Sequence, residues 1–197
     1  MINLYTMDSS ELKIELKEVL RYMGCSGDKL QQNIINTANE LIDEISPKLS
    51  LKACYKKYNV TFNDETIDLG FTTSNSKDLA KNLKGCNGLV LFVATIGIAA
   101  DRIIAKYSLS SPLKATAAQA VGAAAIESWC DIVCNRIKTE YGETCPRFSA
   151  GYGDLPLSMQ KDILNQLDSS RKIGVTLTDS MLMLPTKSVS AIVGIKK

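Results

Sequence analysis

The residues with the most capacity for chemistry lie close together. The stretch Pro146-Arg147-Phe148-Ser149-Ala150-Gly151-Tyr152-Gly153-Asp154-Leu155-Pro156 sets a fixed cation, two glycines, a carboxylate and two prolines within eleven residues. Arginine presents a planar fork of donors that matches a carboxylate or a phosphate. Glycine lets the backbone turn through positive φ and lets a ligand come close, while proline stiffens the flanks. On residue types alone the loop suits an anion, and phosphate fits as well as carboxylate. Upstream, Glu127 is an isolated carboxylate just past an alanine run. It is either solvated or placed to meet a cation, and its spacing favours solvation. Cys130 and Cys134 fall on one helical face and could hold a metal. With no histidine and no second close cysteine pair they are read as core residues, and no metal site is expected.

The chain contains no histidine at all. That removes imidazole as general base or metal ligand, and every triad that depends on it. Hydrophobic residues make up 45% of the 197-residue chain and charged residues 22%, a composition that folds into one domain, or one domain with an added helical segment. A net charge of +2 gives no global field to attract nucleic acid. The N-terminus lacks the basic start and apolar core of a secretory leader, and the apolar run from Gly88 to Ala100 is too short to span a bilayer. Six scattered cysteines without a framework spacing read as reduced thiols. A cytoplasmic protein that engages no membrane is expected.

The elements that must position the loop follow from periodicity. Ser9 or Ser10 is expected to cap a helix from Glu11 to Leu20 that Gly24 ends, and a second helix is expected from Asp28 to Ile45, barred from continuing by Pro47. Strand character runs from Leu51 to Phe62, with a turn at Asn63-Asp64-Glu65 and a short returning strand at Thr66–Leu69. Ser76 should cap a short helix, Lys77 to Lys84, closed by Gly85. The near-continuous apolar run Gly88–Gly97 predicts a strand covered on both faces. Gly97 then turns the chain into a helix from Ala99 to Lys106, either as an ordinary turn residue or as a ligand-approach corner. A long helix from Leu113 to Tyr141 begins with small residues, which suits close packing on the sheet or against a partner. Beyond the loop come an amphipathic helix (Leu157–Leu167), a strand (Ile173–Leu177), core methionines Met181 and Met183, and a final strand (Val189–Val193). The fold class is α+β: a mostly antiparallel sheet flanked by helices. Residues 1–70 form an N-terminal helical segment with the first strands, and residues 71–197 form the core.

Arg147-Phe148-Ser149-Ala150-Gly151-Tyr152 matches an Arg-x-x-x-Gly-Tyr pattern. Leu177-Thr178-Asp179-Ser180-Met181 and Met183-Leu184-Pro185-Thr186-Lys187-Ser188-Val189-Ser190 follow it at matching distance. With the strand ending Phe92–Gly97 and the helix carrying Glu127, these motifs resemble the activation (reactivation) domain of cobalamin-dependent methionine synthase over roughly residues 75–195. The resemblance implies an S-adenosylmethionine site. In it Arg147 holds the ligand carboxylate, Ala150, Gly151 and Tyr152 shape the adenosyl pocket, and Glu127 faces the cationic end. It implies no catalytic side chain, because cobalt and the methyl donor carry the chemistry. It also implies two partners, a corrinoid-binding module that holds the cobalamin and a flavodoxin-type electron donor. Reductive methylation of cob(II)alamin to methylcobalamin, within a methionine synthase (methyltransferase) system, is the expected role. Two departures from the family stand out. The chain is read as a separate protein ending before the family's tyrosine-bearing C-terminal segment, and the family's N-terminal ligand-contacting aspartate has no match. The alternative is therefore a non-catalytic module that caps a corrinoid protein without binding S-adenosylmethionine. An ordinary methyltransferase with a nucleotide-binding glycine loop is a weaker third reading, because no Gly-x-Gly-x-x-Gly or similar run follows the first strands.

Overall fold

The structure, a computed structural model, describes residues 1–25, 31–63 and 66–196. In chain order the elements are β1 (Asn3–Met7), α1 (Leu16–Tyr22), α2 (Gln32–Ile45), β2 (Leu51–Asn59), β3 (Thr61–Phe62), β4 (Ile67–Asp68), β5 (Thr73–Ser74), α3 (Lys77–Asn82), β6 (Cys86–Thr95), α4 (Ala99–Ser108), α5 (Pro112–Tyr141), α6 (Met159–Gln166), α7 (Ser169–Ile173), β7 (Thr176–Leu177), β8 (Met183–Leu184) and β9 (Ser188–Lys196). The main sheet is antiparallel with order β1-β2-β6-β9. The three short strands β3–β5 form their own small sheet, and β7 pairs with β8.

Successive strand residues point to opposite faces, so a strand buried on both sides must be apolar at nearly every position. β6 is that strand, from Gly88 to Thr95. Its Val90, Phe92 and Ala94 face a layer built from α1, α2, α4 and α5, whereas Leu89, Leu91 and Val93 face α3, α6 and the segment through Val175. The molecule is thus a sheet between two helical layers, the α+β arrangement expected. β1 and β2, from the first part of the chain, complete the same sheet as β6 and β9.

α5 is the central packing element. Ala117, Ala118, Ala120, Val121, Gly122, Ala124 and Ala125 are all buried, so the helix is largely enclosed from residue 117 to residue 126. The neighbours that its small side chains admit are α1, α2, α4 and the sheet. The Lys187 stem lies across Gly122, with Cε 2.8 Å from where a Cβ would sit, so a side chain there would displace the end of the lysine. Gly97, at φ +80°, approaches Ser50, whose Cβ lies 2.9 Å from the glycine's own Cβ position. Packing against the chain itself accounts for this corner.

Four expectations need correction. The first helix begins at Leu16 rather than Glu11, after a single 3-10 turn (Ser9–Glu11) whose N–H groups are capped by Asp8 and not by a serine: Ser10 N donates to Asp8 at 2.8 Å. β1 was not expected. It carries Leu4 outward, 55% exposed, which hides the polar-apolar alternation of an edge strand. Of the strand expected at Ile173–Leu177 only Thr176 and Leu177 form one; Ile173 is the last residue of a five-residue helix, α7, closed by Gly174 in the left-handed region at φ +74°. Met181 is half-buried and stands outside the core, whereas Met183, also half-buried, packs against it. The start of the second helix (Asp28, Leu30) and the Asp64-Glu65 part of the turn lie outside the described residues.

Candidate functional site

The segment before the loop runs beside β9. Cys145 N–H donates to the Gly194 carbonyl at 2.8 Å, and Phe148 and Ile192 exchange both backbone hydrogen bonds at 2.8 Å. This extended backbone alternates its side chains. Phe148 and Ala150 pack into the α6 layer, while Arg147, just before Phe148, reaches α5 on the other side. The chain then reverses at Gly151, whose N–H donates to Leu155 O at 2.9 Å and whose φ of +89° is one that side-chain-bearing residues rarely adopt.

The loop is pinned to α3 as well. Asp154 accepts from Ser76 Oγ, from Lys77 N at 2.8 Å and from Asp78 N at 3.2 Å. Asn82 Nδ2 donates to the Pro146 carbonyl at 3.1 Å. The free donors at the start of α3 are therefore satisfied by the loop's own carboxylate. A Cβ on Gly153 would fall on the Asp78 carboxylate, so this position admits only glycine without rearrangement. An open hollow of about 570 Å³ lies between α3 and the loop, lined by Asp78, Lys81, Asn82, Pro146, Phe148 and Gly153.

The hydrogen bond from Ser76, followed by that from Lys77 N, lowers the Asp154 pKa from its ordinary value of 3.8. A carboxylate with a depressed folded-state pKa contributes stability above the unfolded value and loses it as pH falls through the folded one. Thermal unfolding of Asp154→Asn should therefore occur below wild type at pH 5 and above. The gap should close as pH drops beneath 3.8, and a gap independent of pH would show that the charge is not what anchors the loop.

Arg147 lies against one face of α5. Its Nη2 donates to Glu127, and its Nη1 donates to Asp131 at 2.6 Å. Residues 127, 130, 131 and 134 share this face, because side chains three and four apart stand side by side on a helix. Burial works against the guanidinium's charge, but the Asp131 hydrogen bond and the nearby negative groups outweigh it and raise its pKa. Burial also pushes up the thiols of Cys130 and Cys134, so both are protonated packing groups at neutral pH. On the far side of Glu127 and Asp131 a hollow of about 300 Å³ opens between α1 and α5.

The structure thus brings Arg147 and Glu127 together, and Glu127 meets a cation where its spacing favoured solvation. Ala150 is buried in the opposite layer. Gly151 is exposed, and the Tyr152 ring, 61% exposed, stands edge-on to Phe148 at 6.2 Å between centroids. Asp131 escaped sequence reasoning. Its signal was present in the register it shares with Glu127, Cys130 and Cys134. The Ser190 hydroxyl, on β9 near the loop, is buried without a hydrogen-bond partner among the described residues.

The fold is an α+β one, a helix-flanked antiparallel sheet that holds one arginine against two carboxylates beside a glycine turn. Residues 73–197 match the family model described as the activation domain of vitamin B12-dependent methionine synthase, and the chain belongs to that family. Among solved structures it is similar to the MetH reactivation domain bound to AdoHcy, with a TM-score of 0.73 and 13% identity, over 99% of this chain and 78% of that one. At that identity the likeness is one of fold. The curated proteins give no match. No helix among the described residues is long and apolar enough to cross a membrane.

Proposed function

We propose that this chain is an S-adenosylmethionine-binding reactivation subunit that supports reductive methylation of cob(II)alamin to methylcobalamin on a separate corrinoid protein. The observation that carries this reading is Arg147, held by Glu127 and Asp131 at the end of a loop whose backbone stays open at Gly151. Guanidinium has five N–H donors, and Glu127 and Asp131 take two of them. The others remain for a ligand carboxylate. Glu127 offers the opposite charge to an ammonium or sulfonium, and Gly151 and Tyr152 border the adenosyl group. The MetH domain was solved with AdoHcy, which supports a nucleoside of this class.

In this reading the cobalamin belongs to the corrinoid partner and supplies the cobalt that accepts the methyl group. The chain binds and orients the methyl donor. A flavodoxin-type protein supplies the electron, and the complex works in the cytoplasm. Residues 1–70 and 71–197 act as one unit. Calorimetric titration with S-adenosylmethionine tests the proposal, and saturable binding, alone or with the corrinoid partner, is expected. Absence of heat at millimolar ligand in both settings would remove it. It would leave the second reading, a non-catalytic corrinoid-capping module. That reading is favoured by one observation, that Arg147 is already neutralised within the chain.

A further inference from the structure

Two thiols meet at the base of the loop, and ligand binding at Arg147 makes no use of them. Cys86 opens β6, and Cys145 enters the extended segment beside β9, two residues before Arg147. β9 runs between them, paired with β6 on one side and with the segment on the other. They meet across it at Gly194, where a Cβ would stand 2.7 Å from Cys86 Sγ and 3.4 Å from Cys145 Cβ. With no side chain in between, the two sulfurs approach to 3.3 Å. Both residues are buried, and neither is bonded to another cysteine. Among the described residues no group of three or more His, Cys, Asp or Glu side chains gathers to hold a metal ion, which leaves the pair to thiol chemistry.

Sulfurs in a disulfide stand about 2.05 Å apart, so closure needs an approach of about 1.3 Å. The strand end can supply it. The register of β6 against β9 shifts between Cys86 and Gly88, and Gly85, at φ +82°, turns the chain into Cys86 with nothing within 4 Å of its Cβ position. Cys145 is flanked by half-buried Thr144 and exposed Pro146, so a small solute reaches it from the margin of the sheet. Burial, then the neighbouring thiol, push the Cys86 pKa up to about 12. Cys86 therefore keeps its proton at neutral pH and donates it toward the Cys145 sulfur, which is the arrangement of an attacking thiol beside a resolving one.

We propose that Cys86 and Cys145 form a reversible disulfide, a redox-sensitive site that fastens the entry of the Arg147 loop to the start of β6. The oxidant is a peroxide. The Cys145 thiolate attacks one oxygen of hydrogen peroxide, the O–O bond breaks, and the other oxygen leaves as water, which gives a sulfenic acid at Cys145. The Cys86 sulfur then attacks the Cys145 sulfur, its proton goes to the departing hydroxyl, and a second water leaves. Two thiols and one peroxide become one disulfide and two waters, with two electrons passing from sulfur to oxygen. A dithiol reductant reverses the bond by exchange. None of this depends on which ligand Arg147 holds.

The test is treatment of the full chain with dilute hydrogen peroxide, alkylation of the remaining thiols, and peptide mapping by mass spectrometry without reduction. A peptide linking Cys86 to Cys145 is expected, and it should disappear on treatment with dithiothreitol. The bond spans 59 positions of the chain, so it constrains the unfolded state, and Tm should rise by roughly 5–10 °C on oxidation. In Cys86→Ser the resolving thiol is gone, and Cys145 should accumulate as a sulfenic acid trapped by dimedone. In Cys145→Ser, Cys86 should stay reduced. Linkage through other cysteines, a disulfide between two chains, reaction at Cys86 before Cys145, or a linked chain with no rise in Tm would overturn the proposal. Wild type in which both thiols still alkylate after peroxide and denaturation would overturn it as well, whether or not the serine variants fold.

Discussion

Arg147→Ala should weaken S-adenosylmethionine binding by about 100-fold, the effect of removing a charge-assisted, two-pronged partner for a carboxylate. The loss has a second source. Without the guanidinium, Glu127 and Asp131 stand one helical turn apart with no counter-ion, and a ligand carboxylate would approach two negative charges. Arg147→Lys should retain part of the affinity, because lysine restores charge but not the planar fork. The fold should tolerate both changes. The three side chains are 26%, 43% and 68% exposed, so solvent screens their pairing, and thermal stability should fall by about 1 kcal/mol or less. Titration calorimetry and a melting curve on the same samples check both halves. Affinity equal to wild type would place the carboxylate elsewhere.

The largest stability effect is expected at Trp129→Ala. Trp129 is fully buried and joins three elements. It sits on α5, its ring packs 5.1 Å from Tyr5 of β1, and its Nε1 donates to the Lys52 carbonyl of β2 at 3.2 Å. Truncation removes a large apolar group, leaves a cavity and frees a carbonyl, for a cost of about 3–5 kcal/mol. In a chain of this size that lowers Tm by roughly 10–15 °C. Trp129→Phe keeps most of the ring and should lose less than half as much. Far-UV circular dichroism is the suitable probe, since this is the chain's only tryptophan. A shift of only a few degrees would show that β1 can leave the sheet without destabilising α5.

What was legible in the sequence depended on length and repetition. β6 announced itself because a strand covered on both faces has to be apolar throughout, and α5 because thirty residues give helical period and capping ample room to register. β1 and α7 are five residues each, and neither carries a period of its own. β1 extends because β2 offers it a partner, and α7 coils because Gly174 and the packing of Ile173 close it. Such short elements are decided by neighbours far away in the chain.

The site divides in the same way. The sequence by itself determined the loop's chemistry: Arg147 as the fixed cation, Gly151 and Gly153 as turning points, and the lack of any imidazole to take part. It also carried the family's motifs in order, which the match over residues 73–197 bears out. Only the tertiary structure decided which side chains meet. Pairing beside β9 sets the alternation that sends Arg147 to α5 and Ala150 to the opposite layer, and α5 places Glu127 and Asp131 under the guanidinium. Spacing along the chain says nothing of that meeting, because Arg147 stands twenty residues beyond Glu127 and the contact exists only once sheet and helix have packed.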